Sequence, residues 1–133
     1  RELHIFLSAV KSKFKNILSK SIVLILFLIG LKQIIPSLKL DGYSGLLISI
    51  SLFTDDTKYS ENYSGWKFLK IKKGMTKNQV YDILGKPIAV FTREKGVESL
   101  QYSKSPKDTH YRIRQVYMKD NKVIERFSEF YVD

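Results

Sequence analysis

Side chains that could carry out catalysis are few, and they are far apart along the chain. The sequence has two histidines, His4 and His110, in distant segments, and it has no cysteine. A metal site would therefore depend on carboxylates with at most one histidine, and a thiolate ligand or a cysteine nucleophile is excluded. We expect no metal and no cofactor.

One short segment contains the atoms of a hydrolytic triad, in Ser103, Ser105, Asp108 and His110. Such groups work when separate, rigid elements fix their geometry, whereas these residues crowd a predicted loop. The glycines are scattered, and the phosphate-binding pattern Gly-x-x-x-x-Gly-Lys-Ser/Thr does not occur. The sequence therefore predicts no catalytic residue and no enzyme activity.

Arginine and tyrosine side chains offer a binding surface instead, because interfaces are enriched in both types. Arg112 and Arg114 are two residues apart in a predicted strand, so their side chains leave the same side of a sheet. The candidate binding residues are Arg93, Tyr102, Arg112, Arg114, Tyr117 and Arg126. Two alternatives stay open: the charges only keep a strand face solvated, or the set stacks the bases of single-stranded nucleic acid.

The segment from Gly74 to Pro87 predicts one complete, short helix. Thr76 and Gln79 have the spacing of a capping box, in which each side chain binds the other residue's backbone N–H. Gly85 can adopt the left-handed conformation that closes a helix, and Pro87 prevents its continuation. A helix of about two turns is stable only when packed, and an apolar face supplies that packing through Val80, Ile83 and Leu84.

This pattern resembles the SmpA/OmlA family, the BamE-like domains of the Gram-negative cell envelope, over about residues 64–132. The family motif residues, with structural roles, are Ile71, Gly74, Met75, Thr76, Gln79, Val80, Leu84, Gly85 and Pro87. The resemblance implies an α+β fold, in which short helices pack on a small antiparallel β-sheet (ααβββ). It also implies a role like that of an accessory of outer-membrane protein assembly. Members are typically lipoproteins anchored through a cysteine that this sequence lacks, so any membrane attachment is expected from the polypeptide itself.

The first part of the chain predicts a membrane segment. Residues 1–20 have helical spacing of apolar side chains among lysines, typical of a basic amphipathic helix at a membrane surface or of a solvated helix packed on the domain. Residues 21–38 contain an uninterrupted apolar run, Ile22–Leu31. An uncleaved anchor, a signal sequence and a buried core helix all fit such a run. The predicted membrane residues are Lys11, Lys13, Lys15, Lys20, Ile22, Leu24, Leu26, Phe27, Leu28 and Leu31.

The rest of the chain divides into a connecting segment and a domain. In residues 39–65 we expect a strand over 46–53, from its alternating side chains, and then a polar linker. Residues 66–133 form the predicted domain, with a short helix at 66–71 and strands at 88–93, 99–102, 111–119 and 123–132. Asp120-Asn121 predicts the tight turn between the last two strands.

Charge distribution indicates orientation and partners. The net charge is +4 over residues 1–20, −1 over 21–65 and +7 over 66–133. Basic residues before the apolar run predict a cytoplasmic N-terminus, an inner-membrane anchor and a periplasmic C-terminal domain. The basic domain favours an envelope protein or anionic lipid as its partner. Two other functions stay open: a cytoplasmic nucleic-acid-binding domain, and, by analogy of fold, an inhibitor-like protein-binding domain.

Overall fold

The structure, a computed structural model, describes residues 1–52 and 55–133. It divides into two compact units, Arg1–Ile35 and Pro36–Asp133. An α-helix, α1, covers Glu2–Leu52 and contributes to both units. The fold class expected from the sequence, α+β with short helices and an antiparallel sheet after an apolar helix, is confirmed.

The first unit is helical, and most of its large apolar side chains are exposed. Those of the apolar run, from Ile22 to Ile29, are each about half or more exposed. By length and composition, α1 is apolar enough within Glu2–Ile48 to cross a membrane, and its most apolar stretch of 18 residues has a mean hydropathy of 2.1. Only 6% of its most apolar stretch is buried, although signal sequences and the core helices of soluble proteins meet the same criterion.

The second unit begins with the remainder of α1, which is interrupted at Gly42. This residue has φ 71° and ψ 177°, a combination almost restricted to glycine. Residues 46–52 belong to the helix after this break, so the strand predicted at 46–53 is wrong for the residues that the structure describes. Phe53, the last residue of that prediction, lies outside them. A short apolar run has no periodicity that separates a strand from a helix.

Two short helices follow in the second unit. Helix α2 covers Gly65–Leu69 and begins at Ser64, whose hydroxyl accepts a hydrogen bond from the Lys67 N–H. Helix α3 covers Lys77–Leu84, and both hydrogen bonds of the predicted capping box are present. Gly85 ends α3 with a positive φ of 75°, as expected, but its ψ of −169° is extended rather than left-handed helical.

The main sheet is antiparallel and has four strands, as the strand-by-strand prediction expects, one more than the ααβββ pattern. The strands are β2 (Ala89–Thr92), β3 (Glu98–Gln101), β5 (Tyr111–Lys119) and β6 (Lys122–Tyr131), in the order β2-β3-β5-β6. Positive φ values of 51° at Asp120 and 61° at Asn121 form the predicted turn between β5 and β6.

A second, two-stranded sheet was not predicted. It pairs β1 (Lys58–Tyr59) with β4 (Ser103–Lys104). Both strands lie in segments that their polar composition predicts to be loops. Two residues per strand are too few for a detectable alternation of side chains, so the pairing depends on tertiary structure.

The hydrophobic core lies between the helices and one side of the sheet, here called the covered face. Both the helical segments and the sheet contribute buried side chains to this core: Leu40, Phe68, Ile71, Val80, Leu84, Leu100, Tyr102, Val116, Met118 and Val123. The register of β5 and β6 shifts between Tyr117 and Met118. This bulge turns Val123 to the covered face, whereas strict alternation would place it with Glu125 and Phe127 on the opposite, outer face.

Candidate binding surfaces

Two of the predicted binding residues, Arg112 and Arg114, lie on the covered face and meet a buried carboxylate. Nη1 of Arg112 lies 2.5 Å from Oδ2 of Asp41, and Nη2 of Arg114 donates a hydrogen bond of 2.9 Å to the same oxygen. The other oxygen of Asp41, Oδ1, lies 2.7 Å from Nη1 of Arg114 and forms an ion pair with it. The hydrogen bond of this Nη1 goes to the carbonyl of Ile113. The Asp41 side chain is fully buried. One carboxylate therefore holds two arginines inside the domain.

Further polar groups complete this buried ionic cluster, defined here as Asp41, Asp55, Tyr63, Arg112 and Arg114. Nε of Arg112 donates to Asp55 (2.7 Å), and Nε of Arg114 donates to the Tyr63 hydroxyl (3.0 Å). Burial raises the pKa of Asp55, but hydrogen bonds from Thr57 and Arg112 outweigh it, and the net pKa is lowered. With two carboxylates and two guanidinium groups the cluster is neutral, as burial of charge requires.

The expectation that Arg112 and Arg114 form an exposed binding surface is therefore wrong about exposure. Arg114 is 2% exposed, and the side chain of Arg112 is 15% exposed. Alternation along β5 correctly placed both on one side of the sheet. That side, however, is covered by helix α1, which is remote in sequence, so both guanidinium groups are bound within the domain.

Arg126 also has a structural position on the covered face. Its Nη1 donates to backbone carbonyls at the end of α2, most closely to Leu69 at 2.7 Å. The guanidinium also lies 5.9 Å from the centre of the Phe68 ring. A cation at the C-terminus of a helix satisfies carbonyls that have no partner within the helix. Arg126 thus joins β6 to α2.

Tyr102 is fully buried in the core, so it is not exposed as a binding surface requires. Its hydroxyl donates a hydrogen bond of 3.0 Å to the carbonyl of Gly85. Burial raises the pKa of this phenol. The side chain thus connects the residue after β3 to the end of α3.

The other two predicted binding residues, Arg93 and Tyr117, lie together at the outer face. The Arg93 guanidinium is 4.9 Å from the centre of the Tyr117 ring, and the Tyr117 hydroxyl donates to Oε1 of Gln115 at 2.7 Å. The Phe127 ring lies 6.2 Å from that of Tyr117. A shallow groove here is lined by Thr92, Arg93, Glu94, Val97, Tyr117, Ile124 and Glu125. Aromatic, aliphatic and charged groups of both signs are thus exposed side by side.

The serines of the triad-like segment bind separate structural groups. The Ser103 hydroxyl donates to the Arg112 carbonyl and accepts from the Arg114 N–H. The Ser105 hydroxyl donates to the carboxylate of Asp56, whose side chain also accepts the Lys107 N–H. Nδ1 of His110 accepts the Asp133 N–H at 3.1 Å. These contacts fix the loop after β4 and its neighbours.

The motif residues connect α3 to the sheet. The Gly74 N–H donates to the Val123 carbonyl, and the Val123 N–H donates to the Met75 carbonyl, each at 2.8 Å. Val80 and Leu84 then extend into the core, where both are fully buried. These motif residues therefore hold α3 against the sheet and the core.

Sequence reasoning missed Asp41 and Asp55 because they precede the predicted domain. Asp41 is separated by 71 residues from Arg112 and by 73 residues from Arg114. One local signal was available: Asp41 is an isolated acidic residue beside Gly42, within a largely apolar stretch. A charge there requires a partner of opposite sign when the chain packs.

Comparison with protein families gives a match to part of the second unit. Residues 67–126 match the family model described as "Outer membrane protein assembly factor BamE domain". Neither the curated proteins nor the solved structures give a match to the chain. The matched segment begins within α2 and covers α3, the first three strands of the main sheet and the start of β6. Residues 67–126 therefore match the BamE domain, the domain of the SmpA/OmlA family.

Proposed function

We propose that this chain is a non-catalytic, membrane-tethered module of the cell envelope that binds another envelope protein. The BamE domain over residues 67–126 carries this proposal, because such domains belong to an assembly factor rather than to an enzyme. The exposed apolar helix of the first unit supports the tether, since large patches of apolar surface are rarely left in water. The N-terminal lysines support a cytoplasmic N-terminus and a periplasmic domain.

The position of Pro36 changes the expected limits of the anchor. Pro36 is buried and belongs to the second unit, so a span over residues 21–38 would remove part of that unit from its fold. A helix needs about 17–25 residues to cross a bilayer. We therefore propose a span over about residues 17–35, with Lys20 and Lys32 near its ends, where lysine side chains reach the interface.

We expect two arginines in the middle of this span to prevent insertion. Each costs roughly 2.5–3.5 kcal/mol at the centre of a helix, so Leu24→Arg with Leu28→Arg should leave the chain outside the membrane. With a periplasm-only reporter fused after Asp133, the parent should be active, and its membrane fraction should resist extraction by high salt. The double-arginine variant should lose both properties.

The matched control is Leu24→Ile with Leu28→Ile, which keeps the apolar character and should behave as the parent does. An inactive reporter on the parent, with the protein in the cytosol, would contradict the tether and favour the nucleic-acid-binding alternative. Extraction of the parent by salt alone would mean that the lysines, and not the apolar span, hold the chain to the membrane.

For the partner surface we propose the outer face around Arg93 and Tyr117. These are the predicted binding residues that combine exposed or partly exposed side chains with a groove. Arginine and tyrosine anchor many interfaces, because both bury apolar area and keep hydrogen-bonding heads. The remaining predicted residues are committed to contacts inside the domain.

Photocrosslinking in cells tests this surface. We expect a benzophenone amino acid in place of Tyr117 to form specific adducts with an envelope protein, because it retains the aromatic ring at the groove. The same group in place of Asp82, an exposed residue of α3 on the opposite side of the sheet, is the control. Adducts at Asp82 and none at Tyr117 would place the partner on the helical side instead.

A further inference from the structure

The part of α1 after Gly42 forms a separate helical segment, here called the post-Gly42 helix (residues 43–52). It has a docked side. The Cβ of an alanine at Gly45 would lie 3.2 Å from Cβ of Phe130 and 2.8 Å from Cβ of Asp41. Nearby, the Ser128 hydroxyl donates a 2.7 Å hydrogen bond to the Leu40 carbonyl. Glycine at position 45 therefore allows the helix to pack closely against β6.

The opposite side of the post-Gly42 helix is apolar and exposed. Tyr43 is 70% exposed, Ile50 is 57% exposed, and Leu47 lies between them at i+4 with about half of its surface exposed. This i, i+4, i+7 spacing places them on one stripe of the helix, and residue 45 faces away from it.

The helix that carries this stripe has no charged residue that would oppose burial in lipid. Residues 43–52 contain no charged side chain. The nearest charges on either side are Asp41 and Asp55, and both are neutralised by arginines in the buried ionic cluster. The chain thus exposes an uncharged apolar stripe, while the carboxylates that flank it in sequence are paired with arginines.

Position in the sequence points to a bilayer as what covers the stripe. The post-Gly42 helix follows the proposed span by only a few residues, so the same membrane is always within its reach at high effective concentration. A second copy or another protein would first have to be recruited. Tyrosine is enriched at the membrane interface, and helices with one apolar side lie in that plane.

We propose that the post-Gly42 helix is a second membrane contact, lying in the interface with Tyr43, Leu47 and Ile50 in lipid and Gly45 against the domain. This inference rests on the proposed tether. It assigns to residues 43–52, which lie outside the BamE match, the role of holding the domain to the bilayer surface.

Spin labelling of the full chain in liposomes tests the contact. Because the chain has no cysteine, Tyr43→Cys and Ile50→Cys each place one nitroxide on the stripe. Ile25→Cys reports on the proposed span, and Phe91→Cys, at a site 54% exposed on the sheet, is the aqueous control. At positions 43 and 50 we expect collision with oxygen to exceed collision with a water-soluble nickel complex several-fold. At position 91 the order should be reversed.

Each result has a distinct meaning. Access of the nickel complex to positions 43 and 50, with position 25 in lipid, overturns this inference and leaves the tether intact. Access at position 25 overturns the tether itself. Protection of 43 and 50 from both reagents means that protein covers the stripe, which also overturns the proposal. Position 43 gives an independent result if a label at position 50 lowers the melting temperature of the domain.

Discussion

Replacing Asp41 with alanine is expected to lower the free energy of unfolding of the second unit by roughly 3–5 kcal/mol, because it leaves buried arginines without their carboxylate. The Asp41 side chain is fully buried between Arg112 and Arg114. A domain of this size is stable by about 5–15 kcal/mol in total, so this loss is a large fraction of the stability of the domain. Urea unfolding of the full chain in mild detergent, followed through the only tryptophan, Trp66, measures the effect.

Two matched variants separate charge from packing in this prediction. Asp82→Ala removes an exposed carboxylate of α3 and should change stability by less than about 0.5 kcal/mol. Asp41→Leu combined with Arg112→Met and Arg114→Met replaces the ions with apolar groups of similar size and should recover much of the loss. If Asp41→Ala has the same urea midpoint of unfolding as the parent, the cluster does not hold α1 to the sheet.

Because of this cluster, we expect the double variant Arg112→Glu with Arg114→Glu to lose stability, whereas the sequence alone predicts a loss of binding. Exposed arginines would make this a binding variant with an unchanged melting temperature. In the structure the two glutamates would instead face Asp41 and Asp55 across the former ion pairs. The double variant is therefore unsuitable for mapping a partner surface, and Arg93 and Tyr117 are the appropriate positions.

Gly85→Val is expected to destabilise the domain by more than the roughly 1–3 kcal/mol of backbone strain alone. Gly85 has a positive φ of 75°, and a Cβ built on it would lie 2.9 Å from Cβ of Asn62. Its carbonyl also accepts the hydrogen bond from the buried Tyr102 hydroxyl, so a backbone shift would disturb the core. Thermal or urea unfolding measures the loss.

Gly96→Val is the matched control for this substitution. Gly96 has a similar φ of 73°, but a Cβ there would have open space around it, so this variant reports the cost of a side chain at positive φ without the steric overlap. Adding Asn62→Gly to Gly85→Val should recover the difference between the two. If Gly85→Val lowers the free energy of unfolding by no more than Gly96→Val does, the overlap with Asn62 is easily relieved and contributes nothing to the loss of stability.

Local signals in the sequence determined the elements whose energetics are local. The helix α3 was predicted from Thr76, Gln79 and Gly85, because capping bonds join residues three or four apart. The turn at Asp120-Asn121 was predicted because few residues tolerate positive φ. The α+β class and the BamE resemblance followed from the same short motif.

Tertiary structure alone decided which side of β5 is buried. The alternation of side chains along β5 places Arg112 and Arg114 on the same face, but it does not indicate which face is buried. The neighbouring strand β6 gives no further indication, because neither of its faces is cleanly apolar in sequence. The choice depends on Asp41, which is more than 70 residues away and lies on a helix whose own pattern predicted a strand after position 45. The two arginines share a carboxylate only after α1 packs on the sheet, so no pattern within a short window specifies their burial.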